Sequence, residues 1–212
     1  MIEKTFCTTR EAAKLLGVSV RTTQLWVENG LLSAWKTAGG HRRVSRDSVD
    51  SLLHKAAVTP PPVNAVSTPA PIDPPTHDLN LKVLIVEDDP ALLLLYQFRL
   101  AQWPMPPQVI VASNGVEALV RVGHEVPDLL IADLSMPEMD GFQMLRALKS
   151  MPELERMTIV VVSGLDAEEI KQRGGVPESI QVLPKPIPFT TLQDIAYRIW
   201  SRKLAEHATV LP

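Results

Sequence analysis

Four acidic side chains fall where two apolar runs end: Glu87-Asp88-Asp89 follows Lys82–Val86, and Asp133 follows Leu129–Ala132. If both runs are strands of one parallel sheet, the carboxylates converge on a single sheet edge and repel one another unless a cation lies among them. Oxygen ligands suit a hard ion, and two or three carboxylates left open to a phosphate suit Mg2+, which keeps several of its waters. Two further groups end runs on the same side, Ser163 after 159–162 and Lys185-Pro186 after 181–183. A carboxylate nucleophile, a metal to neutralise incoming charge, a hydroxyl and a fixed ammonium are what phosphoryl transfer to an aspartate requires. Asp89 reads differently: with Pro90 after it, it is the expected N-cap of the next helix.

The elements that must position these groups follow from periodicity. Five short apolar runs, 82–86, 108–112, 129–132, 159–162 and 181–183, alternate with helical patterns at 91–103, 115–124, 141–150, 167–172 and 190–205. Strands alternating with helices imply an α/β domain, a five-stranded parallel sheet doubly wound with helices on both faces. Ligands in such sheets bind beyond the carboxyl ends of the strands, where the strand order reverses.

Residues 81–205 resemble the receiver domain of two-component response regulators. The matching elements are Val86-Glu87-Asp88-Asp89, Asp133 followed by Met136-Pro137-Glu138-Met139-Asp140-Gly141, Ser163-Gly164, and Lys185-Pro186. The resemblance implies a flavodoxin-like fold with Asp133 as phosphoacceptor, and Mg2+ bound by Glu87, Asp88, Asp133 and the backbone carbonyl of Ser135. Ser163 and Lys185 would bind phosphoryl oxygens, and the Lys185–Pro186 bond would be cis. A sensor histidine kinase or phosphotransfer protein would be the donor. Two departures stand out. Val182 occupies the place three residues before the lysine where receivers usually carry Tyr or Phe, and Gly174-Gly175 and Pro177 cut short the helix before the fifth strand.

The N-terminal residues have a different chemistry. Residues 1–55 hold nine Lys and Arg against five Asp and Glu, a net +4, whereas residues 81–212 carry a net −5. The basic end suits a polyanion. Thr8-Thr9-Arg10-Glu11 fits a capping box that opens a helix ending at Gly17, and Ser19 caps a second helix ending at Asn29-Gly30. This is a helix-turn-helix, whose second helix can enter a major groove. Arg21, Thr22 and Gln24 are its expected outward residues, able to reach base edges or phosphates in double-stranded DNA. A hairpin is expected over 32–36, with a turn at 38–40 and a return through His41, Arg42, Arg43 and Val44. A third helix is expected after Ser45. Gly39 and Gly40 let the turn press close to a sugar-phosphate backbone, and His41, Arg42 and Arg43 are expected DNA contacts, the two arginines binding phosphates or entering a minor groove. Trp26 and Trp35 are expected in the core. With Gly30-Leu31-Leu32 and Gly39-Gly40-His41-Arg42-Arg43, the segment resembles the winged helix-turn-helix of the excisionase and MerR-like superfamily.

Residues 56–80 hold seven prolines and no Lys, Arg or Gly, the composition of an extended linker. The expected organisation is therefore a DNA-binding domain at 1–55, a linker at 56–80, a receiver at 81–205 and a tail at 206–212. One cysteine, Cys7, precludes an internal disulfide, and no apolar run approaches the ~18 residues of a membrane span. A cytoplasmic protein is expected, with no membrane partner and no catalysis beyond its own phosphorylation and dephosphorylation. Phosphorylation of Asp133 would modulate DNA binding and transcription, with phosphorylation-dependent homodimerisation as the means. Two other readings stay open: a signalling adaptor, or an excisionase-like architectural protein whose receiver does not switch.

Overall fold

The structure is a computed structural model that describes residues 5–37, 39–58, 79–136, 140–151, 154 and 156–210. Most of the expected linker, at 59–78, lies outside the described residues, as do Pro137-Glu138-Met139 of the receiver-like motif and Ala38 of the expected wing turn. The chain divides into two compact units, Met1–His77 and Asp78–Pro212.

In the first unit, β1 (Phe6–Thr8), β2 (Ala34–Lys36) and β3 (Arg42–Ser45) form an antiparallel sheet in the order β1-β3-β2. Helices α1 (Thr9–Leu16), α2 (Val20–Glu28) and α3 (Arg46–Val58) accompany it. The capping box forms as the residue types require: the Glu11 N–H donates to Thr8 Oγ1 at 3.2 Å, and the Thr8 N–H donates to Glu11 Oε2 at 2.7 Å. Such a cap stabilises a short helix by about 1 kcal/mol. Gly17 ends α1 in the left-handed region at φ 70°, and Ser19 caps α2. Cys7, Ala12, Ala13, Trp26, Leu32 and Val44 make the core. Burial, with Glu11 second, raises the Cys7 thiol above its ordinary value.

Two features differ from expectation. Strand β1 was not foreseen, because three residues cannot display an alternation. Trp35 is 46% exposed, where a core position was expected. The register explains it: Trp35 pairs with Arg43, whereas the buried Val44 pairs with Ala34 and Cys7. Since successive side chains alternate faces, Trp35 must lie opposite the core. There its ring meets that of Phe6 edge-on at 5.9 Å.

The second unit has a five-stranded parallel sheet of order β5-β4-β6-β7-β8, from β4 (Lys82–Val86), β5 (Gln108–Ala112), β6 (Leu129–Ala132), β7 (Thr158–Ser163) and β8 (Gln181–Pro184). With α4 (Pro90–Leu100), α5 (Gly115–His124), α6 (Gly141–Lys149), α7 (Ala167–Gln172) and α8 (Phe189–Val210), this is the flavodoxin-like doubly wound fold. Every residue of β6 is buried, as a central parallel strand covered on both faces requires. Helix α4 stops at Leu100, short of the expected 103, and Pro104, which disfavours helical backbone at Trp103, bars it from running further. Trp103 is nevertheless buried. Helix α8 runs beyond the expected 205 to Val210; 189–210 contains neither Gly nor Pro to stop it. At the sheet end remote from the acidic residues, Asp128 Oδ2 accepts from the Lys82 N–H at 2.8 Å and from Lys203 Nζ at 2.9 Å. No helix among the described residues is long and apolar enough to cross a membrane.

Among the glycines described in this unit, Gly141 at the start of α6 comes nearest to neighbouring backbone. A Cβ on Gly141 would lie 2.5 Å from the Asp133 carbonyl oxygen and 2.7 Å from Leu134 Cα, both backbone atoms that cannot step aside cheaply. Gly141→Ala is therefore expected to destabilise the unit by about 1–3 kcal/mol, as overpacking does. Denaturant unfolding checks this, and a midpoint equal to that of the parent would contradict the close approach.

Candidate functional site

The site lies beyond the carboxyl ends of β4 and β6, neighbouring strands on either side of the point where the strand order reverses. The parallel register pairs Val86 with Ala132, so Glu87 and Asp133 leave the sheet at the same level. Backbone hydrogen bonds hold them there: the Asp133 N–H donates to Val86 O at 3.0 Å, and the Glu87 N–H to Ala112 O at 3.1 Å. Glu87 is 2% exposed and Asp133 7%, while Asp88 faces solvent. One oxygen from each of the three lies within 4.8 Å of the others. Asp89 does what its Pro neighbour foretold, capping α4 by accepting the Ala91 N–H at 2.8 Å.

Lys185 closes the cluster. Its Nζ donates to Asp133 Oδ2 at 2.7 Å and to Glu87 Oε2 at 3.0 Å. The Lys185–Pro186 peptide bond is cis, and the Lys185 N–H donates to Ser163 O at 2.8 Å. The Ser163 side chain is buried, and its Oγ accepts the Leu165 N–H at 3.2 Å. Ser135 is exposed, with its N–H donating to Asp133 Oδ1 at 3.1 Å.

Burial pushes the Glu87 carboxyl up to about 7, against the pull of the Lys185 ammonium and its hydrogen bond. Burial draws the Lys185 ammonium down, but the hydrogen bond to Asp133 and the charges of both carboxylates outweigh it and leave Lys185 above its ordinary value. Two acidic groups thus share one ammonium, and Asp88 adds a third within ligand distance of both. The all-oxygen donor set and this excess negative charge fit a hard divalent cation such as Mg2+. Glu87, Asp88 and Asp133 would hold it, and when bound it supplies charge neutralisation for an incoming phosphate.

Two residues near the site were not singled out from the sequence for what they do here. Tyr96 is buried, and burial followed by the charges of Glu87 and Asp133 keeps its phenol far above the usual range. Gly141 touches the Asp133 backbone. A lone Tyr in an apolar helix carries no signal of such a neighbourhood, and the Gly was visible only as part of a motif.

Residues 83–197, more than half the chain, match the response regulator receiver domain family. The chain belongs to that family. Residues 6–57 match a helix-turn-helix domain. A 14.6 kDa protein of Leptolyngbya boryana is 33% identical over 108 residues, covering 51% of this chain and 81% of that protein. The phosphate regulon transcriptional regulatory protein PhoB of Rhizobium meliloti is 31% identical over 105 residues, covering 50% of this chain and 45% of its own length. The chain spans only 12% of a matching gliding motility regulatory protein of Myxococcus xanthus. Among solved structures, a sensor protein from Polaromonas sp. JS666 aligns with a TM-score of 0.51 and 26% identity, over 58% of this chain and 98% of that one.

The receiver-family departures have a structural counterpart. Val182 on β8 is 38% exposed, and α7 has only six residues and no buried side chain.

In the helix-turn-helix unit, Arg21 and Gln24 are exposed on α2, and Gly39, Gly40 and His41 are exposed at the wing turn, with Arg42 and Arg43 half-buried on β3. Thr22 corrects the sequence reading: it is 6% exposed and faces inward. It lies one turn before Trp26 on the buried face, and its Oγ1 lies 2.8 Å from Ser19 Oγ. Thr23, fully buried, donates its hydroxyl to Ser19 O at 3.1 Å.

A pH dependence follows for the receiver. The folded chain holds the Glu87 proton up to about pH 7, whereas the unfolded chain releases it near the ordinary value of 4.5. The Glu87 contribution to metal-free stability therefore falls as pH rises through that window. A cation that needs the carboxylate competes with the same proton. Thermal melting with and without Mg2+ is expected to show a larger stabilisation at pH 8 than at pH 6, and Glu87→Gln to remove most of it. A Mg2+ shift independent of pH would contradict the assignment of Glu87.

Proposed function

We propose that the chain is a DNA-binding response regulator of a two-component phosphorelay, acting in the cytoplasm. In this reading a phosphohistidine of a sensor kinase or phosphotransfer protein donates to Asp133. A carboxylate oxygen of Asp133 attacks phosphorus, the P–N bond breaks, and the histidine leaves with the bond's electron pair and takes up a proton. Lys185 gives up its contact with the Asp133 carboxylate and pairs with a phosphoryl oxygen, and the Ser163 hydroxyl turns from the Leu165 N–H to donate to another. Glu87, Asp88, Asp133 and the Ser135 carbonyl are the proposed Mg2+ ligands. The observation that carries the reading is Lys185 Nζ at 2.7 Å from Asp133 Oδ2 and 3.0 Å from Glu87 Oε2, in a chain whose other matched segment is a helix-turn-helix.

The output would be binding of double-stranded DNA through Arg21, Gln24 and the wing residues Gly39, Gly40, His41 and Arg42. A module of some fifty residues neutralises few phosphates and binds weakly alone. Phosphorylation would then act by pairing two chains, raising the effective concentration of one module when the other is bound. Beyond its own phosphorylation and dephosphorylation the chain is assigned no catalysis.

Incubation with phosphoramidate and Mg2+ is expected to add one phosphoryl group, removable by hydroxylamine, to the parent and none to Asp133→Asn. Duplex binding should be salt-sensitive and should change on phosphorylation in the parent only. Equal labelling of Asp133→Asn would refute the acceptor assignment, and duplex binding absent at every salt concentration would favour a protein-only adaptor.

A further inference from the structure

The adjacent wing arginines, Arg42 and Arg43, leave β3 on opposite faces. Val44 is fully buried, so Arg42, two residues before it, shares its side of the sheet, and Arg43 takes the other. On its side Arg43 pairs across the strands with Thr8 and Trp35, and its guanidinium carbon sits 6.0 Å from the centre of the Phe6 ring. Arg42 points to the helices: its Nη1 lies 3.5 Å from Glu28 Oε1 in the last turn of α2. Glu28 ends an exposed stripe of α2 that also carries Arg21 and Gln24, spaced as one helix face. The Glu28–Arg42 contact thus joins that stripe to the wing.

Across the hairpin from Arg42, on the same sheet face, is Lys36. Like charges directly opposed on antiparallel strands are destabilising. Glu28 relieves only Arg42, because among the described residues the Lys36 side chain makes no ion pair or hydrogen bond. An external polyanion satisfies both cations at once.

From this juxtaposition we infer that Lys36 and Arg42 form a two-cation phosphate clamp continuous with the Arg21–Gln24 stripe of α2, and that Arg43 lies off the DNA face, holding Phe6 and Trp35 together. This deepens the DNA-binding reading and rests on it. Glu28 is a positioning residue that keeps the Arg42 guanidinium against α2.

The test is equilibrium binding of the chain, residues 1–212, to a random-sequence duplex over a range of salt concentrations. Each phosphate contact contributes about 0.9 to the slope of log K against log salt. Lys36→Gln and Arg42→Gln are each expected to lower the slope by about that amount, and Arg43→Met, which keeps an apolar stem on Phe6, to leave it at the parent value. Circular dichroism melts establish that each variant is folded at the assay temperature. Should Arg43→Met not be folded there, Arg43→Gln with Phe6→Leu replaces it under the same expectation. An unchanged slope for Lys36→Gln, or a lowered slope for the Arg43 variant, overturns the inference and leaves DNA binding intact. A parent chain that binds no duplex at any salt concentration overturns the DNA-binding reading and this inference with it.

Discussion

A single ammonium shared between two buried carboxylates is the constraint around which the receiver unit is arranged. Lys185 serves Asp133 and Glu87 together, and Asp88 adds a third charge within ligand distance of both. Removing one member of a buried ion pair strands the other at a cost of about 3–5 kcal/mol, so the three elements that supply these groups are tied to one another. The strand order sets the distances. Between β8, which delivers Lys185, and β6, which delivers Asp133, lies β7, so the gap is two strand spacings, roughly 10 Å. Only a long unbranched side chain crosses it with its charge intact. Shorter residues suffice for Glu87 and Asp133, whose strands are neighbours.

Much of this was legible because parallel strands covered on both faces read as apolar runs, and because the residue after each run lands at the same sheet edge. Glu87, Asp88, Asp133, Ser163 and Lys185 were all found that way. Asp89 was separable from its neighbours because proline after aspartate is a helix-start signal in its own right. Burial was not legible. Nothing in the letters distinguishes Glu87, nearly inaccessible, from Asp88 beside it in solvent, since adjacent residues after a strand are not bound to a period. The contacts of Gly141 and Tyr96 with the site's surroundings escaped for a related reason: they depend on which backbone passes nearby, and that is decided by packing.

The helix-turn-helix unit shows the same division. Its caps were visible as local chemistry, Thr8 with Glu11 and then Ser19, each satisfied within one turn. Facing was harder. Thr22 looks like a surface residue by type, yet the helix phase set by Trp26 turns it inward, and its hydroxyl is satisfied by Ser19. Trp35 looks like a core residue, yet the strand phase set by Val44 turns it outward. In both cases the periodicity of a neighbour outweighed the polarity of the residue itself. A strand of three residues gave no periodicity to use.

Helix α7 has a consequence for where this unit yields first. It is six residues long and buries none of them, with only the half-buried Ile170 resting against the core. Its ends are held by its own capping box, Asp166 with Glu169, and by the left-handed Gly174 and Gly175. Opening it exposes almost no apolar surface, so its local unfolding costs far less than global unfolding of the sheet. The segment leaving Ser163 can therefore open at low cost while the sheet stays intact. Rearrangement can spread along that route without the core coming apart.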